Sequence, residues 1–254
     1  MSRIRLYRTE GIVLRARDFQ ETDRLLSVFT RRLGKISAIV KGVKRPQSKL
    51  AGGTQPFCHS SFQFAEGRNL DVVTQCVPHN AFYGLRQDLD KMAHASYLAE
   101  LADGLTEERS PNPRLFDLLV SALGAVEGTE HPDLVARVFE LRILSLSGYG
   151  PELNRCARCG KPLPQTASEA WFSHVLGGAI CSACRSDAPA ARRITGGTLS
   201  AARTLSKAWP DRIPALRLTP TQAAELENCL RASLEYRLER KIRSARFLHD
   251  FAPS

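Results

Sequence analysis

The chain has 254 residues, with 36 Lys+Arg against 26 Asp+Glu and a formal charge of +10. That length is ample for a buried core in one large domain or in two to three small ones, and no apolar run reaches the roughly 18 residues of a membrane helix. The charge is uneven: residues 1–79 carry 14 Lys+Arg against 6 Asp+Glu, residues 80–151 carry 6 against 11, and residues 192–254 carry 12 against 6, so two basic ends flank an acidic middle and favour an anionic polymer as partner, nucleic acid ahead of membrane.

The first 79 residues alternate as strands do. In "GIVLRAR" Ile12 and Leu14 share one face and Val13 takes the other. "LLSVFT" and "KISAIV" flank "RRLG", a hairpin with Gly34 in its turn, and "FQFAEG" and "LDVVTQCV" flank a second turn, "EGRN". Five strands in this span predict a small closed barrel, because closure removes exposed edges. The longest irregular stretch between strands is residues 41–53; at its start "VKGVKRPQSK", residues 40–49, crowds Lys41, Lys44, Arg45 and Lys49 together with no acid among them. Arg24, Arg31, Arg32 and Lys35 lie on or beside the first hairpin.

From Gly84 the period becomes helical. Leu85, Leu89, Met92, Leu98, Leu101 and Leu105 recur at helical spacing. A second helix begins near Pro113 and ends at Gly128. A third has Pro132 near its start and Gly148 just past its end. Residues 149–191 lose this period and hold four of the seven cysteines. "GTLSAARTLSKAW" resumes helix. The last helix starts at "TPTQ", where Thr219 caps, Pro220 suits the first turn and Gln222 completes a capping box. Leu226, Leu230, Leu234, Leu238 and Ile242 form its buried row, and Glu227–Arg231, Arg231–Glu235 and Glu239–Arg243 are i,i+4 pairs on the other face.

The strongest chemical signal is "CARCG" followed by "CSAC". Cys156, Cys159, Cys181 and Cys184 are spaced so that each close pair can put both thiolates on one tetrahedral ion, and Gly160 supplies a permissive backbone after the first pair. Four thiolates suit structural Zn²⁺, with no position left for water; an iron–sulfur cluster or redox dithiols are the alternatives. Cys58–His59 and Cys76–His79 mimic a second site but read as small buried side chains in strands, as does Cys229 in the last helix. Phe19, Phe29, Phe57, Phe62 and Phe64 are candidate base-stacking platforms, most of them needed for the barrel core. The sequence has no G-x-x-x-x-G-K-[ST] loop and no G-x-S-x-G elbow. His94, His131, His174 and His249 lie apart, and "GYGP" at 148–151 reads as a helix stop. The basic cluster therefore points to phosphate contact without sequence reading, with Arg192 and Arg193 as a weaker second cluster. The chain is expected to bind rather than catalyse. A zinc-ribbon nuclease and a basic adaptor for acidic protein tails are the rival readings. The arginine-bearing N-terminus lacks the apolar run of a secretory signal, and the expected location is cytoplasmic.

Residues 7–57, "GRNLDVVTQ", "LSGYGPELNRCARCG" and "FSHVLGGAICSAC" together resemble the RecO family of bacterial recombination mediators. The resemblance implies an α+β, multidomain chain: a five-stranded OB-fold barrel for DNA over residues 1–80, a helical domain over 81–150 and 192–254, and a zinc module inserted at 151–191. It implies a nucleoid-associated role in homologous-recombination repair, binding single- and double-stranded DNA and annealing complementary strands. RecR, single-stranded-DNA-binding protein and, indirectly, RecA are the implied partners. Lys35, Lys41, Lys44, Arg45 and Lys49 fall within the matched stretch.

Overall fold

The computed structural model describes residues 5–166 and 168–250; Arg3 and the side chain of His249 lie outside the described residues. Strands β1 (Leu6–Phe19), β2 (Asp23–Thr30), β3 (Gly34–Val40), β4 (His59–Ala65) and β5 (Asp71–Asn80) close into a barrel in the order β1-β2-β3-β5-β4. Neighbours are antiparallel except β3 and β5, which run parallel where Ala38 faces Asp71 and Ile39 faces Val72. This is the order and closure of an OB-fold. Alternate residues fill the interior: Val13, Leu26, Val28, Ile36, Ala38, Val40, Phe62, Phe64 and Val73.

Simple alternation would leave Ile12 and Leu14 facing water, yet both are buried. Two helices, α1 (Leu89–Leu105) and α2 (Pro113–Gly128), account for it. α1 lies against β1, and Phe29, the cross-strand partner of Ile12, packs its ring 5.9 Å from that of Phe116 in α2. Part of the barrel's outer surface is thus core as well. Leu89 and Met92, at the start of α1, stay exposed.

Between α1 and α2 the chain returns to the barrel as a strap along β3. The Lys35 amide donates to the Glu107 carbonyl at 3.4 Å, and the Arg109 amide donates to the Lys35 carbonyl at 3.1 Å. Gly34, at φ +71°, makes this approach feasible, since a Cβ there would collide with the Ser110 backbone. The strap is pinned by Arg109, whose guanidinium donates to the buried carboxylate of Asp71, which also accepts from the Tyr7 hydroxyl.

The remaining elements are α3 (Pro132–Leu146), β6 (Glu169–Ser173), β7 (Gly178–Ile180), β8 (Arg192–Thr195), α4 (Gly196–Leu205), α5 (Pro220–Leu238) and the short α6 (Phe247–Asp250). The three later strands form a sheet in the order β7-β6-β8. α3 packs with α4 and α5. Thr219 and Gln222 form the expected reciprocal cap of α5. The row Leu226, Leu230, Leu234 is buried, but the helix stops at Leu238 because Glu239 turns left-handed (φ +53°), so Ile242 is buried from outside the helix. Glu227–Arg231 forms at 3.3 Å. The Glu235 carboxylate is taken instead by Lys241 Nζ at 2.7 Å and by the Ile242 amide, across that reversal. The chain divides into two compact units. One holds the barrel, α1, α2 and the segment from Ser244 onward; the other spans residues 131–243.

Candidate nucleic-acid interface and metal centre

The basic residues singled out in the sequence fall into different environments. Arg31 is held by Asp117 at 2.7 Å and Glu10 at 3.1 Å, with its guanidinium 4.9 Å from the centre of the Phe116 ring. Lys35 Nζ donates to the Asp103 carbonyl at 2.6 Å and lies 3.4 Å from the Asp103 carboxylate. Arg24 and Lys44 share Asp18, at 3.4 and 3.0 Å, and hydrogen bonding to Lys44 lowers the Asp18 pKa. Arg193 pairs with Glu169 at 2.6 Å. Arg32, Lys41, Arg45, Lys49 and Arg192 are exposed and make no ion pair among the described residues.

Topology separates them further. The β2–β3 ladder runs from Arg24 opposite Val40 to Thr30 opposite Gly34. Arg32 therefore sits at one end, and Lys41 to Lys49 sit at the other, about 20 Å away at the usual rise of a strand. The second group is fixed against the β1–β2 turn: the Lys44 amide donates to the Thr22 carbonyl at 3.0 Å and the Gly42 amide to the Asp23 carboxylate at 2.8 Å.

The outer face of the barrel is divided in the same way. Toward the Gly34 end, the chain covers itself. Asp103, near the C-terminus of α1 and 5% exposed, accepts from Arg15, from Ser27 at 3.1 Å and from Lys35, while Glu108 accepts from Ser37 at 2.8 Å. Toward the Val40 end, Arg17, Leu25, Ile39 and Val72 line up in register and are left uncovered to varying degrees. Phe19 ends β1 there at 38% exposure, whereas Phe29, Phe57, Phe62 and Phe64 are all buried. An exposed aromatic ring on the same strand face as Arg17, at the barrel end that carries the free cations Lys41, Arg45 and Lys49, has the two features that single-stranded nucleic acid requires: a stacking surface and a phosphate track. The sequence could not separate Phe19 from the core phenylalanines, and it gave Arg17 no prominence. The available signal was position, since both lie next to the turn at Gln20, whose φ is +54°.

The four cysteines come together. Their Sγ atoms lie within 4.8 Å of one another, and Cys159 and Cys181 Sγ are 3.9 Å apart, close to the roughly 3.8 Å that four sulfurs at ~2.3 Å from one tetrahedral ion would have. The Cys181 amide points at Cys156 Sγ at 3.4 Å, Gly160 closes the first turn at φ +72°, and Arg158 bridges to Asp187 at 2.7 Å. Burial opposes ionisation of Cys156, but amides of Cys159, Cys181 and Arg158 outweigh it and bring its pKa to about 6. Hydrogen bonding to Cys181, then burial and the other sulfurs, pushes Cys184 up to about 12. Four thiolates this close cannot all ionise against one another; a bound divalent cation removes that conflict. The donor set and its spacing therefore fit a metal ion. Elsewhere among the described residues the titratable groups gather no comparable set. Cys58 is buried and Cys76 partly so, and burial raises both pKa values, that of Cys76 to about 11. His59 and His79 approach ring to ring at 5.1 Å. No helix among the described residues is long and apolar enough to cross a membrane.

Residues 1–82 match the family model for the N-terminal domain of recombination protein O, and residues 86–246 match that for its C-terminal domain. The chain is 40% identical over 245 residues to the DNA repair protein RecO of Moorella thermoacetica, covering 96% of this chain and 91% of that one. It is 40% identical over 249 residues to the protein of the same name from Pelotomaculum thermopropionicum, covering 98% and 95%. With that of Symbiobacterium thermophilum it shares 36% over 244 residues, 96% of each chain. The chain belongs to the RecO family.

Proposed function

We propose that this RecO-family chain is a non-enzymatic DNA-binding protein of homologous-recombination repair, which holds DNA at the Val40 end of its barrel and anneals complementary strands. The observation that carries the proposal is the exposed Phe19, on one strand face with Arg17 and at the same barrel end as Lys41, Arg45 and Lys49, on the half of the barrel face that Asp103 and Glu108 leave open. Phosphates neutralised there release counterions, and neutralised backbones repel each other less, which lowers the barrier to pairing. Single strands fit best, because stacking on Phe19 needs unpaired bases; backbone contact alone serves double-stranded DNA. Cys156, Cys159, Cys181 and Cys184 hold a structural Zn²⁺, which supplies a fold-stabilising crosslink and no reaction. Family membership supports action in the cytoplasm at the nucleoid, with RecR and single-stranded-DNA-binding protein, in aid of RecA loading.

The test is charge reversal of Lys41, Arg45 and Lys49 to Glu. Fluorescence titration of oligothymidylate against salt should show weaker binding and a slope of log K against log salt smaller by about 2, at roughly 0.7 per lost phosphate contact. An unchanged affinity and slope would place the DNA elsewhere. Mg²⁺-dependent cleavage that survives rigorous purification would overturn the non-enzymatic reading.

A further inference from the structure

The GYGP motif ends α3, and Gly148 at φ +82° provides the reversal. A reversal does not need the aromatic ring beside it. Tyr149 is 45% exposed, and the Arg237 guanidinium lies over its ring at 3.6 Å from the centroid. Arg237 belongs to the last turn of α5, and its neighbour Tyr236 is 57% exposed. Tyr236 meets the ring of His174 edge-on at 5.6 Å. His174 follows β6, and its pKa is lowered by burial and by the positive charge of Arg192, the first residue of β8. Two side-chain contacts, Tyr149 with Arg237 and Tyr236 with His174, are thus joined through adjacent residues of α5, and Arg192 pairs across the β6–β8 ladder with Phe172, two residues before His174; the five residues come from four separate segments, all within residues 131–243. Two carboxylates of the same helix are engaged elsewhere, Glu235 with Lys241 at 2.7 Å and Glu225 with the hydroxyl of Thr198 at 2.5 Å, while Glu239 lies exposed just past the end of α5. Arg192 and Arg237 make no ion pair among the described residues. Exposed rings interleaved with uncompensated guanidinium groups do little for a core; they match a backbone of phosphates carrying stackable bases.

We propose that this row is a second binding site for single-stranded nucleic acid, with bases stacking on Tyr149 and Tyr236 and phosphates held by Arg192 and Arg237. It rests on the reading of the chain as a DNA-binding protein but uses no residue of the barrel site. One chain then offers two strand sites, one on each compact unit, so that a single chain can hold both strands that annealing joins.

The full-length, zinc-loaded protein is irradiated with oligothymidylate carrying 5-iodouracil, and the crosslinked peptides are mapped by mass spectrometry. Crosslinks are expected at Tyr149 or Tyr236, and they should persist when Lys41, Arg45 and Lys49 are reversed to Glu. In that reversed background, Tyr149→Ala with Tyr236→Ala should weaken oligothymidylate binding about fivefold or more per ring, while Tyr149→Phe with Tyr236→Phe should retain it. Absence of crosslinks at both tyrosines, or unaltered binding by the double alanine variant, would overturn the proposal. Tighter binding of polyglutamate than of oligothymidylate would also overturn it, making the row a site for acidic protein tails. Failure of the barrel reading shows separately, as full binding by the charge-reversed protein whatever the tyrosines do.

Discussion

The barrel and the cysteine knuckles are stabilised by different physics. The barrel buries a contiguous set of ten residues, from Val13 to Val73, and buries more under α1 and α2. The turn Ser182–Asp187, which carries Cys184, has no buried residue, and Cys159 is exposed. Apolar burial therefore suffices for the first region; in the second it reaches Cys156 but not Cys159 or the turn that carries Cys184, where on the proposed reading a bound ion organises the backbone around the sulfurs. A region built on burial resists loss of any one polar group; a region built on four ligands loses its organisation with one.

Metal removal is the strongest way to test that contrast. Structural zinc sites in small modules contribute apparent binding energies of about 10–16 kcal/mol near neutral pH, far more than the knuckles can recover by packing. Chelation, or Cys156→Ser, should abolish amide protection from hydrogen exchange around residues 156–160 and 181–187 while leaving Val28, Ile36 and Phe64 protected. Equal loss of protection in both regions would show that they unfold as one body and would remove the distinction. Full retention of protection in the knuckles of protein shown by elemental analysis to be metal-free would mean that packing alone holds them.

The same contrast explains what the sequence made legible. The cysteine pairs, the Thr219–Gln222 cap and the strand–turn rhythm of the barrel are local patterns, and each is found where its spacing placed it. The engagement of Arg31 and Lys35 is not legible from local pattern, because their partners, Asp117 and Asp103, lie 86 and 68 residues further on. Leu14 and Ile12 defied alternation for a related reason: the helices that cover them belong to another part of the chain. Helical period puts α1 to α5 in one helical class, but it cannot say that α3 packs with α4 and α5 while α1 packs with α2. What depended on tertiary neighbours, including the exposure of Phe19, could not be read from period or charge.

A smaller perturbation sharpens the contrast within the barrel unit. Gly34→Ala forces a side chain into the left-handed region and against the Ser110 backbone, and the two penalties together should destabilise by about 2–4 kcal/mol. Gly148→Ala is the control. Its φ is +82° but nothing lies within 4 Å of the added Cβ, so only the backbone penalty of about 1–2 kcal/mol applies. The urea midpoint should fall more for the first variant than for the second. Equal losses would mean that the strap of residues 107–110 yields freely and that the barrel does not depend on it.

The smallest expected effect asks whether the helical part of residues 131–243 shares the fate of the knuckles. Thr219→Ala removes the side chain that accepts from the Gln222 amide and leaves the other half of the box, the residue-219 amide donating to Gln222 Oε1, in place. The cost should be about 1 kcal/mol, felt in the unfolding of α5. If burial of Leu226, Leu230 and Leu234 holds α5 independently of the metal, that loss should be the same with and without chelator, because distant and uncoupled sites add. Urea unfolding followed by helical circular dichroism, with and without zinc, measures both losses. A cap that matters only in the zinc-loaded protein would couple α5 to the knuckles, and the boundary between burial-held and metal-held structure would then lie at residue 131 rather than at the cysteines.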